Sequence, residues 1–270
     1  MALNSLDQII ELAQKREIRR IVIAAAEDEP VLKAVKAASD LNIVKPVLVG
    51  HKQKILEISE KIEFDINELS VINEADPSAA VSKAVEVIKT GKAEILMKGL
   101  VSTAPLLRAV LKKDNGLKKS KLLSHLAVFQ TGYYPKLLGV TDAAMNIAPE
   151  LKEKVSIIEN AIEVFHALGI EKPGIAALAP LETVNDKIQS TVDAALLAKM
   201  SDREQIKKCK IDGPFALDNA VSPQAAAHKK IHSEIAGNAD ILLAPDLNSG
   251  NILYKSLIFL SDAISAAVIL

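Results

Sequence analysis

The feature of this sequence that most limits its fold is a repeated alternation of short apolar runs with amphipathic stretches. Ile18–Ala26 is an apolar run of strand length, and Glu29–Asn42 follows it with apolar residues at helical spacing. The same order, a strand followed by a helix, recurs up to Lys112. Strands joined through helices run parallel, so the pattern predicts an α/β fold with mostly parallel sheets and right-handed crossovers.

The predicted elements follow this alternation along the whole chain. Before Lys112 they are strands at Lys45–Val49, Leu69–Ile72 and Glu94–Met97 and helices at Pro77–Thr90 and Thr103–Lys112. The later strands are Leu122–Phe129, Lys136–Thr141, Gly174–Ala179, Lys210–Ile211, Ala239–Ala244 and Ala266–Leu270. The later helices are Pro149–Leu168, Thr183–Met200, Ser222–Ile235 and Asn248–Leu260. Only Gln130–Pro135 separates the first two of these later strands, which predicts an antiparallel, hairpin-like pair.

The stretch Lys112–Ser120, KKDNGLKKS, is polar and contains an Asn-Gly pair, which is typical of a boundary between compact units. A chain of 270 residues is long enough for two lobes and can bury a large core. We therefore predict an α/β lobe over residues 1–120 and a second over residues 121–270, with a ligand cleft between them. The apolar run Ala266–Leu270 is interpreted as an edge strand, or as the point where a longer ancestor continued.

Composition narrows the class of protein further. Aromatic residues make up only 3% of the chain and tryptophan is absent, so the core must be aliphatic, as in parallel sheets covered by helices. A formal charge of −1 argues against a nucleic-acid-binding surface. The single cysteine excludes an internal disulfide and favours a cytoplasmic setting, and no apolar run is long enough to cross a membrane. The amino-terminal segment is interpreted as an amphipathic helix rather than a signal peptide.

A first candidate binding segment starts at Lys98, where a predicted strand ends. In open α/β sheets, ligands gather at the carboxyl ends of strands, where helix N-termini present free N–H groups. Gly99 permits a tight turn, Ser102 or Thr103 caps the next helix, and the guanidinium of Arg108 suits phosphate oxygens. An ordinary capped helix with solvated Lys98 and Arg108 is the alternative.

A second candidate segment is Pro245–Lys255, which also links a predicted strand to a helix. It crowds four short hydrogen-bonding side chains into one turn: Asp246, Asn248, Ser249 and Asn251. Gly250 lets a ligand approach the backbone, and Lys255 adds a positive charge. Four such side chains exceed what helix capping requires, which favours a binding site over a plain turn.

Two further candidates lie near other predicted strand ends. Ser124 and His125 begin an apolar strand, where a lone histidine is more often a satisfied core residue than a catalyst. Asp142 and Asn146 follow a strand, so they either face the cleft or cap the turn. We keep Ser124, Asp142 and Asn146 as candidate binding residues.

The sequence gives little support for a metal site, a reactive thiol, or the nucleotide-binding, serine-hydrolase and zinc-protease motifs. His228 and His232 stand one helical turn apart and suit a metal ion, but a solvated helix face is the more ordinary interpretation. Cys209 is interpreted as an incidental thiol. The sequence contains no G-x-G-x-x-G, no P-loop, no G-x-S-x-G and no H-E-x-x-H motif.

A resemblance to a known family rests on four segments: LMKGLVSTAPLLRAVL, LLSHLAVFQ, DGPFALDNAVSPQAA and AGNADILLAPDLNSGNILYKSL. They are similar to the phosphate acetyl/butyryltransferase family. The forms DGPFALDNAVS and KGLV are similar to its butyryl or branched-chain branch, the branched-chain phosphotransacylase type. The likeness runs from about Ile21 to the end of the chain and is most specific over Ala236–Leu257.

This resemblance implies a two-lobed fold related to isocitrate/isopropylmalate dehydrogenase, usually in homodimers or larger homo-oligomers. It implies a metal-independent acyl transfer without a cofactor, in which acyl-CoA and inorganic phosphate give acyl phosphate and CoA. It places seven residues around phosphate and the thioester: Lys98, Thr103, Arg108, Asn248, Ser249, Gly250 and Asn251. Ser124, with Asp142 or Asn146, is expected along the opposite wall.

One departure from the family pattern affects the expected chemistry. In the family, the chain continues past the position of Leu270 into a strand that ends in a Ser-Arg pair, followed by a helix that returns to the first lobe. That pair is taken to bind phosphate and orient the CoA thiol, and this sequence does not contain it. No catalytic residue is therefore assigned, and we expect either activity from the remaining turns or a shortened, weakened member.

Three alternatives to a butyryl or branched-chain transferase stay open at this point. The chain is compatible with an acetyl preference within the same reaction. It is also compatible with a truncated, non-catalytic homologue that binds acyl-CoA or phosphate. A dehydrogenase of the related fold needs a metal-binding cluster of acidic residues, which the sequence does not offer.

Overall fold

The computed structural model describes residues 3–112, 117 and 122–270. The chain divides into two compact units, one formed by Ile10–Lys119 and the other by Met1–Ile9 together with Ser120–Leu270. These are named the first unit and the second unit below. The predicted boundary at Lys112–Ser120 lies mostly outside the described residues.

The first unit alternates strands and helices in chain order. Its elements are α1 (Leu6–Gln14, which begins in the second unit), β1 (Arg19–Ala24), α2 (Glu29–Asp40), β2 (Val44–Gly50), α3 (Lys52–Lys61), β3 (Ser70–Asn73), α4 (Pro77–Lys89), β4 (Ile95–Lys98) and α5 (Thr103–Val110). The sheet order is β3-β2-β1-β4, and all neighbouring strands are parallel. The predicted parallel α/β arrangement is confirmed. The sequence pattern does not predict α3, because polar residues outnumber apolar ones in it.

The central strand β1 is covered on both faces, as its apolar composition predicts. Val22 and Ala24 pack on the side of α4 and α5, whereas Ile23 packs on the side of α2 and α3. All three side chains are fully buried. Successive side chains of a strand point to opposite faces, so a continuous apolar run fills two cores at once.

The second unit carries a mixed sheet. Its elements are β5 (His125–Gln130), β6 (Leu138–Thr141), α6 (Leu151–Ala167), β7 (Gly174–Leu178), α7 (Gln189–Asp202), β8 (Lys210–Phe215), α8 (Leu217–Val221), α9 (Pro223–His228), β9 (Ile241–Leu243), α10 (Leu247–Leu260) and β10 (Ile264–Ile269). The order is β10-β5-β6-β9-β7-β8. The pairs β10–β5 and β5–β6 are antiparallel and the other pairs are parallel. The predicted antiparallel element and the edge position of the last strand are both confirmed.

Helices cover both faces of this second sheet. On one face, Ile157 and Phe165 of α6 and Leu197 of α7 belong to one buried cluster. On the other face, Phe129 of β5 belongs to a cluster against which α10 packs. Gly139 of β6 lies under Phe165, where a Cβ would stand 2.8 Å from the ring, so close helix–sheet packing excludes a larger residue there.

The helix predicted at Thr183–Met200 begins only at Gln189. The reason is a turn held by side chains, since Asn185 Oδ1 accepts from the Lys187 N–H at 2.9 Å. In the same turn, Thr191 Oγ1 donates to the Asn185 carbonyl at 2.9 Å. Such bonds offer the backbone an alternative to the helix, so the prediction was wrong for residues 183–188.

The helix predicted at Ser222–Ile235 ends at His228. Ser222 caps it as predicted, with Oγ accepting from the Ala225 N–H at 3.2 Å. Lys230 adopts a φ of 57°, a left-handed conformation in which a helix cannot continue. His232 therefore lies outside the helix, and the suggested placement of His228 and His232 on one helical face is wrong.

Candidate functional site

The first candidate segment begins where β4 ends, at the carboxyl edge of the first sheet. The Gly99 N–H donates to the Ala24 carbonyl at 2.8 Å, and the Leu100 N–H donates to the Ala25 carbonyl at 2.6 Å. A Cβ on Gly99 would lie 2.0 Å from the Ala25 carbonyl oxygen. Only glycine fits this position, and the predicted tight turn is confirmed.

The three candidate side chains of this segment, Lys98, Thr103 and Arg108, are exposed. Lys98 Nζ folds back over the turn and donates to the carbonyls of Gly99, at 3.2 Å, and Val101, at 3.0 Å. Ser102 occupies the N-cap position of α5, but its side chain makes no capping hydrogen bond. Hydroxyl capping by Ser102 was therefore a wrong expectation, and the first N–H groups of α5 do not use that hydroxyl.

Asp142, which follows β6, organises the loop that bears two candidate residues of the second unit. Its buried carboxylate accepts from the N–H groups of Ala144 at 2.9 Å, Met145 at 3.0 Å and Asn146 at 3.2 Å. The side-chain amide of Asn146 donates to the same carboxylate and, at 2.9 Å, to the Leu123 carbonyl. Both side chains therefore hold the backbone of this loop. This is the capping role, one of the two alternatives that the sequence allowed for Asp142 and Asn146.

The second candidate segment forms the beginning of α10, at the carboxyl end of β9. Asp246 caps the helix, with Oδ1 accepting from the Ser249 N–H at 2.9 Å and from Ser249 Oγ at 3.1 Å. Asn248 and Lys255 are exposed. The ligand-binding roles of these residues stay predictions.

Two tight contacts join α10 to the loop that follows β6. A Cβ on Gly250 would lie 2.2 Å from the Asp142 carbonyl oxygen, so the backbone of Asp142 fills the space beside that glycine. The Asn251 side-chain amide donates to the Ala143 carbonyl at 3.0 Å. The structure therefore brings Asp142, Asn146, Gly250 and Asn251 together in one cluster, although the first two are more than a hundred residues from the others in the chain.

Ser124 lies inside the second unit rather than on its surface. It is 1% exposed, and its Oγ accepts from the Asn160 side-chain amide at 2.9 Å. Its backbone exchanges hydrogen bonds with Leu270, which extends the pairing of β5 with β10. This geometry gives Ser124 a role in attaching the edge strand, and its expected contact with substrate stays a prediction.

His125 lies beside the Asp142 loop and is partly buried. Its ring meets the ring of Tyr254 edge-on, with centroids 5.5 Å apart. Its Nδ1 is buried without a hydrogen-bond partner among the described residues. Burial lowers the pKa of His125 below its usual 6.5, and the negative charge of Asp142 opposes this effect only in part. The ring is therefore neutral at pH 7.

A cavity of about 940 Å³ opens in the second unit where α6, α7 and α10 begin. Residues that follow strand ends line it, such as Ala179 after β7 and Pro245 after β9, so it belongs to the carboxyl edge of the sheet. Of the predicted binding residues, Asp246 and Ser249 line it. A pocket of this size at strand ends is a common form of small-molecule site in α/β proteins.

An ion pair that the sequence analysis missed lies at this cavity. Lys154 Nζ and Asp193 Oδ2 are 2.6 Å apart, and both side chains are almost completely buried. The Gln189 side-chain amide donates to Asp193 Oδ1 at 2.8 Å. The sequence signal that could have revealed this ion pair was a lysine and an aspartate on the buried faces of two helices, since charged residues are seldom buried unless paired.

The remaining reactive groups are consistent with structural roles. Cys209 is buried, and burial raises the pKa of its thiol to about 11. In the part of the chain that the structure describes, no three histidine, cysteine, aspartate or glutamate side chains are placed to hold a metal ion. The expectation of a reaction without metal or cofactor stays a prediction. Nor does any described helix have both the length and the apolar character for crossing a membrane.

The fold and these strand-end segments define an α/β protein of two units, each with polar side chains where a strand of its sheet leads into a helix. The chain matches the sequence profile described as phosphate acetyl/butaryl transferase over residues 5–80 and 76–270. It is 48% identical to a phosphate butyryltransferase of Clostridium beijerinckii, over 96% of this chain and 86% of that relative. It is 46% identical to a phosphate butyryltransferase of Clostridium acetobutylicum, over 99% of this chain and 89% of that relative.

Among solved structures, the chain is similar to a branched-chain phosphotransacylase from Enterococcus faecalis V583. The TM-score is 0.84 and the identity 33%, over 94% of this chain and 88% of that one. The chain belongs to the phosphate acetyl/butaryl transferase family, which makes it an acyltransferase. The resemblance noted from four sequence segments and the α/β fold class are both confirmed.

Proposed function

We propose that this chain transfers a short straight or branched acyl group, butyryl above all, from coenzyme A to inorganic phosphate, and catalyses the reverse reaction. The observation that carries the proposal is the near-full-length identity to relatives named phosphate butyryltransferase, 48% and 46%. The likeness to a branched-chain phosphotransacylase supports the same acyl range.

The proposed reaction needs no covalent enzyme intermediate. A phosphate oxygen attacks the thioester carbonyl carbon, the carbonyl oxygen takes up the negative charge, and the tetrahedral intermediate then expels the CoA thiolate to leave an acyl phosphate. The site must hold an anionic nucleophile and stabilise a second negative charge, which cationic side chains and helix N–H groups do well. Holding both reactants side by side can supply about 7–11 kcal/mol of the acceleration.

Side chains of both units are proposed to meet these needs. In the first unit, the exposed Lys98 ends β4, Thr103 begins α5 and Arg108 lies in the last turn of α5. We propose that these side chains approach phosphate oxygens. In the second unit, we propose that the exposed Asn248 and the polar group of Ser249 at the beginning of α10 bind substrate. The cluster around Asp142 holds this turn in place, because Gly250 and Asn251 contact its loop directly.

Neither Cys209 nor Ser124 is a suitable nucleophile. Cys209 is buried and its raised pKa keeps the thiol protonated at neutral pH. Ser124 is buried and already bonded to Asn160. These features support direct attack by phosphate on the thioester rather than a double displacement.

The working context of the enzyme is also part of the proposal. We propose that it acts in the cytoplasm, as a homodimer or larger homo-oligomer, with acyl-CoA and phosphate as its only small-molecule partners. The single cysteine supports a reducing compartment. Activity that survives dialysis against a chelator supports the absence of a metal, and sedimentation of the purified protein gives the oligomeric state.

The deciding experiment follows the release of CoA with a thiol reagent. Purified protein is mixed with acetyl-, butyryl- or isobutyryl-CoA, with and without phosphate. We expect phosphate-dependent release with the highest kcat/KM for butyryl-CoA or isobutyryl-CoA. Highest activity with acetyl-CoA would revise the acyl preference. No release with any of the three would reject the transferase, and calorimetric binding of CoA without turnover would then identify a binding protein.

A further inference from the structure

The charges on the cavity wall limit what can occupy the cavity in the second unit. Its charged lining residues are Glu150, Lys154, Asp193 and Asp246. Three carboxylates and one ammonium give the lining a formal charge of −2, which disfavours phosphate and the phosphorylated end of a nucleotide. The wall also contains five leucines: Leu151, Leu178, Leu196, Leu217 and Leu253. The cavity therefore suits an uncharged, apolar ligand.

The ion pair stands where the aliphatic core would otherwise continue. One helical turn beyond Lys154, α6 places Ile157 and Ile158 in the core, and one turn beyond Asp193, α7 places Leu197 there. Lys154 and Asp193 thus form the last layer between this core and the open space. A buried ion pair is no more stabilising than apolar residues of the same volume, so its presence calls for another reason.

We infer that the acyl chain of the substrate enters this cavity and that the Lys154–Asp193 ion pair at its floor sets the longest chain accepted. The inference rests on the proposed function, because an acyl-CoA substrate is what brings such a chain. An apolar chain gains free energy along leucine walls but not against the polar surface of an ion pair.

The size of the cavity agrees with this occupant. About 940 Å³ exceeds the volume of a four-carbon chain, so the uncharged pantetheine arm of CoA enters behind the acyl group. The acyl end then lies deepest, and the anionic phosphates of CoA stay outside the negatively charged lining. Lys154 and Asp193 are specificity-determining residues in this arrangement, not catalytic ones.

The double variant Lys154→Ala/Asp193→Ala tests the inference. Removing both partners leaves no unpaired buried charge and extends the apolar space at the floor. Burial of one methylene is worth a factor of about four, so two additional methylenes should be worth about fifteenfold. We expect kcat/KM for hexanoyl-CoA relative to butyryl-CoA to rise by about this factor.

A matched control removes another ion pair of the same unit. Lys136 and Asp240 are 2.7 Å apart and partly buried, and neither lines the cavity. The variant Lys136→Ala/Asp240→Ala should leave the hexanoyl-to-butyryl ratio unchanged. The inference is overturned if the ratio also stays unchanged in the folded Lys154→Ala/Asp193→Ala enzyme. Equal changes in kcat/KM for acetyl-, butyryl- and hexanoyl-CoA also overturn the inference, because the cavity would then hold a part of the substrate that all three share.

A filling substitution decides the matter if the double variant does not fold. Ser190 lines the cavity from the first turn of α7, and Ser190→Leu places an aliphatic side chain in the space assigned to the acyl group. We expect KM to rise about tenfold for butyryl-CoA, with little change for acetyl-CoA. Equal KM changes contradict the inference, with a melting curve as the check on folding. A wild-type enzyme that turns over no acyl-CoA rejects the proposed function itself, and this inference falls with it.

Discussion

The carboxyl edges of the two sheets carry one candidate segment each, and the two segments are built differently. Both contain a glycine pressed against a backbone carbonyl, Gly99 in the first unit and Gly250 in the second. In the first unit, the charged side chains of Lys98 and Arg108 are exposed. In the second unit, the charged side chain of Asp142 is buried and fully engaged with its own loop.

This difference indicates two roles: exposed side chains are available to a ligand, and buried side chains support the backbone. Arg108 is exposed, and Lys98 donates only to two carbonyls of its own turn, so replacing either cation removes few internal contacts. A buried carboxylate that accepts several N–H groups holds the backbone, and replacing it leaves those donors unpaired. The comparison predicts that changes at Asp142, and at Gly250 which contacts it, mainly alter stability, whereas changes at Arg108 mainly alter substrate binding.

The largest effect is expected from Asp142→Ala. The substitution removes the acceptor of three backbone N–H groups and of the Asn146 amide. An unsatisfied buried donor costs about 1–3 kcal/mol, and these four bonds are partly buried, so the free energy of unfolding should fall by about 3–5 kcal/mol in urea titrations. The exposed Asp262→Ala serves as control and should change it by less than about 0.5 kcal/mol. A loss below about 1 kcal/mol at Asp142 would show that this loop does not depend on the carboxylate.

Gly250→Ala should have the next largest effect. Its Cβ would lie 2.2 Å from the Asp142 carbonyl oxygen, so α10 and the loop must move apart. Overpacking of this kind costs about 1–3 kcal/mol of unfolding free energy. At Gly132 a Cβ would meet nothing within 4 Å, and Gly132→Ala is the matched control, expected to be nearly neutral. Equal stability of the two variants would mean that the contact at Gly250 carries no constraint.

Arg108→Ala tests the other side of the comparison. The side chain is exposed, so the free energy of unfolding should change by less than about 0.5 kcal/mol. A hydrogen bond to a charged group is worth about 1.5–3 kcal/mol, so KM for phosphate or CoA should rise at least about tenfold. Arg203→Ala, at an exposed position after α7, should leave both KM values unchanged. Unchanged KM values in Arg108→Ala would remove this arginine from the site.

The smallest effect concerns the pH dependence of stability at His125. Because its pKa is lowered in the folded protein, the unfolded chain binds the proton first as pH falls below 6.5. The folded state therefore loses stability between pH 7 and pH 5. His125→Phe keeps a ring against Tyr254 and removes the titrating group, so melting temperatures should fall less for this variant over the same range. Parallel pH profiles would show that the histidine does not titrate differently in the folded state.

Elements marked by the length or spacing of their apolar residues were predictable from the sequence, whereas two helix ends were not. β1 was predicted because it lies in an apolar run of strand length, and α2 because its apolar residues repeat at helical spacing. The start of α7 was misplaced, because the bonds between Asn185 and Thr191 compete with the helix. The end of α9 was misplaced because a left-handed residue at Lys230 carries no composition signal.

The features of the candidate site also divide into those that the sequence predicted and those that it did not. The cap at Asp246 depends only on local backbone geometry. The turn at Gly99 was predicted from the glycine itself, although the carbonyls that exclude a side chain there belong to Ala24 and Ala25, far away in the chain. The contact between Gly250 and Asp142 and the Lys154–Asp193 ion pair join segments far apart in the chain. No local pattern specifies such contacts, because packing selects them once the sheet has formed.

The sequence by itself determined the α/β alternation, the position of the two candidate segments after strands, and the family. Those properties follow from side-chain periodicity and turn chemistry, which act over a few residues. Only the tertiary structure decided that β9 lies between β6 and β7, which brings α10 against the Asp142 loop. It also decided that a lysine of α6 and an aspartate of α7 form an ion pair that lines a cavity. Both arrangements come from burying helix faces on a sheet, a free energy that depends on the whole unit at once.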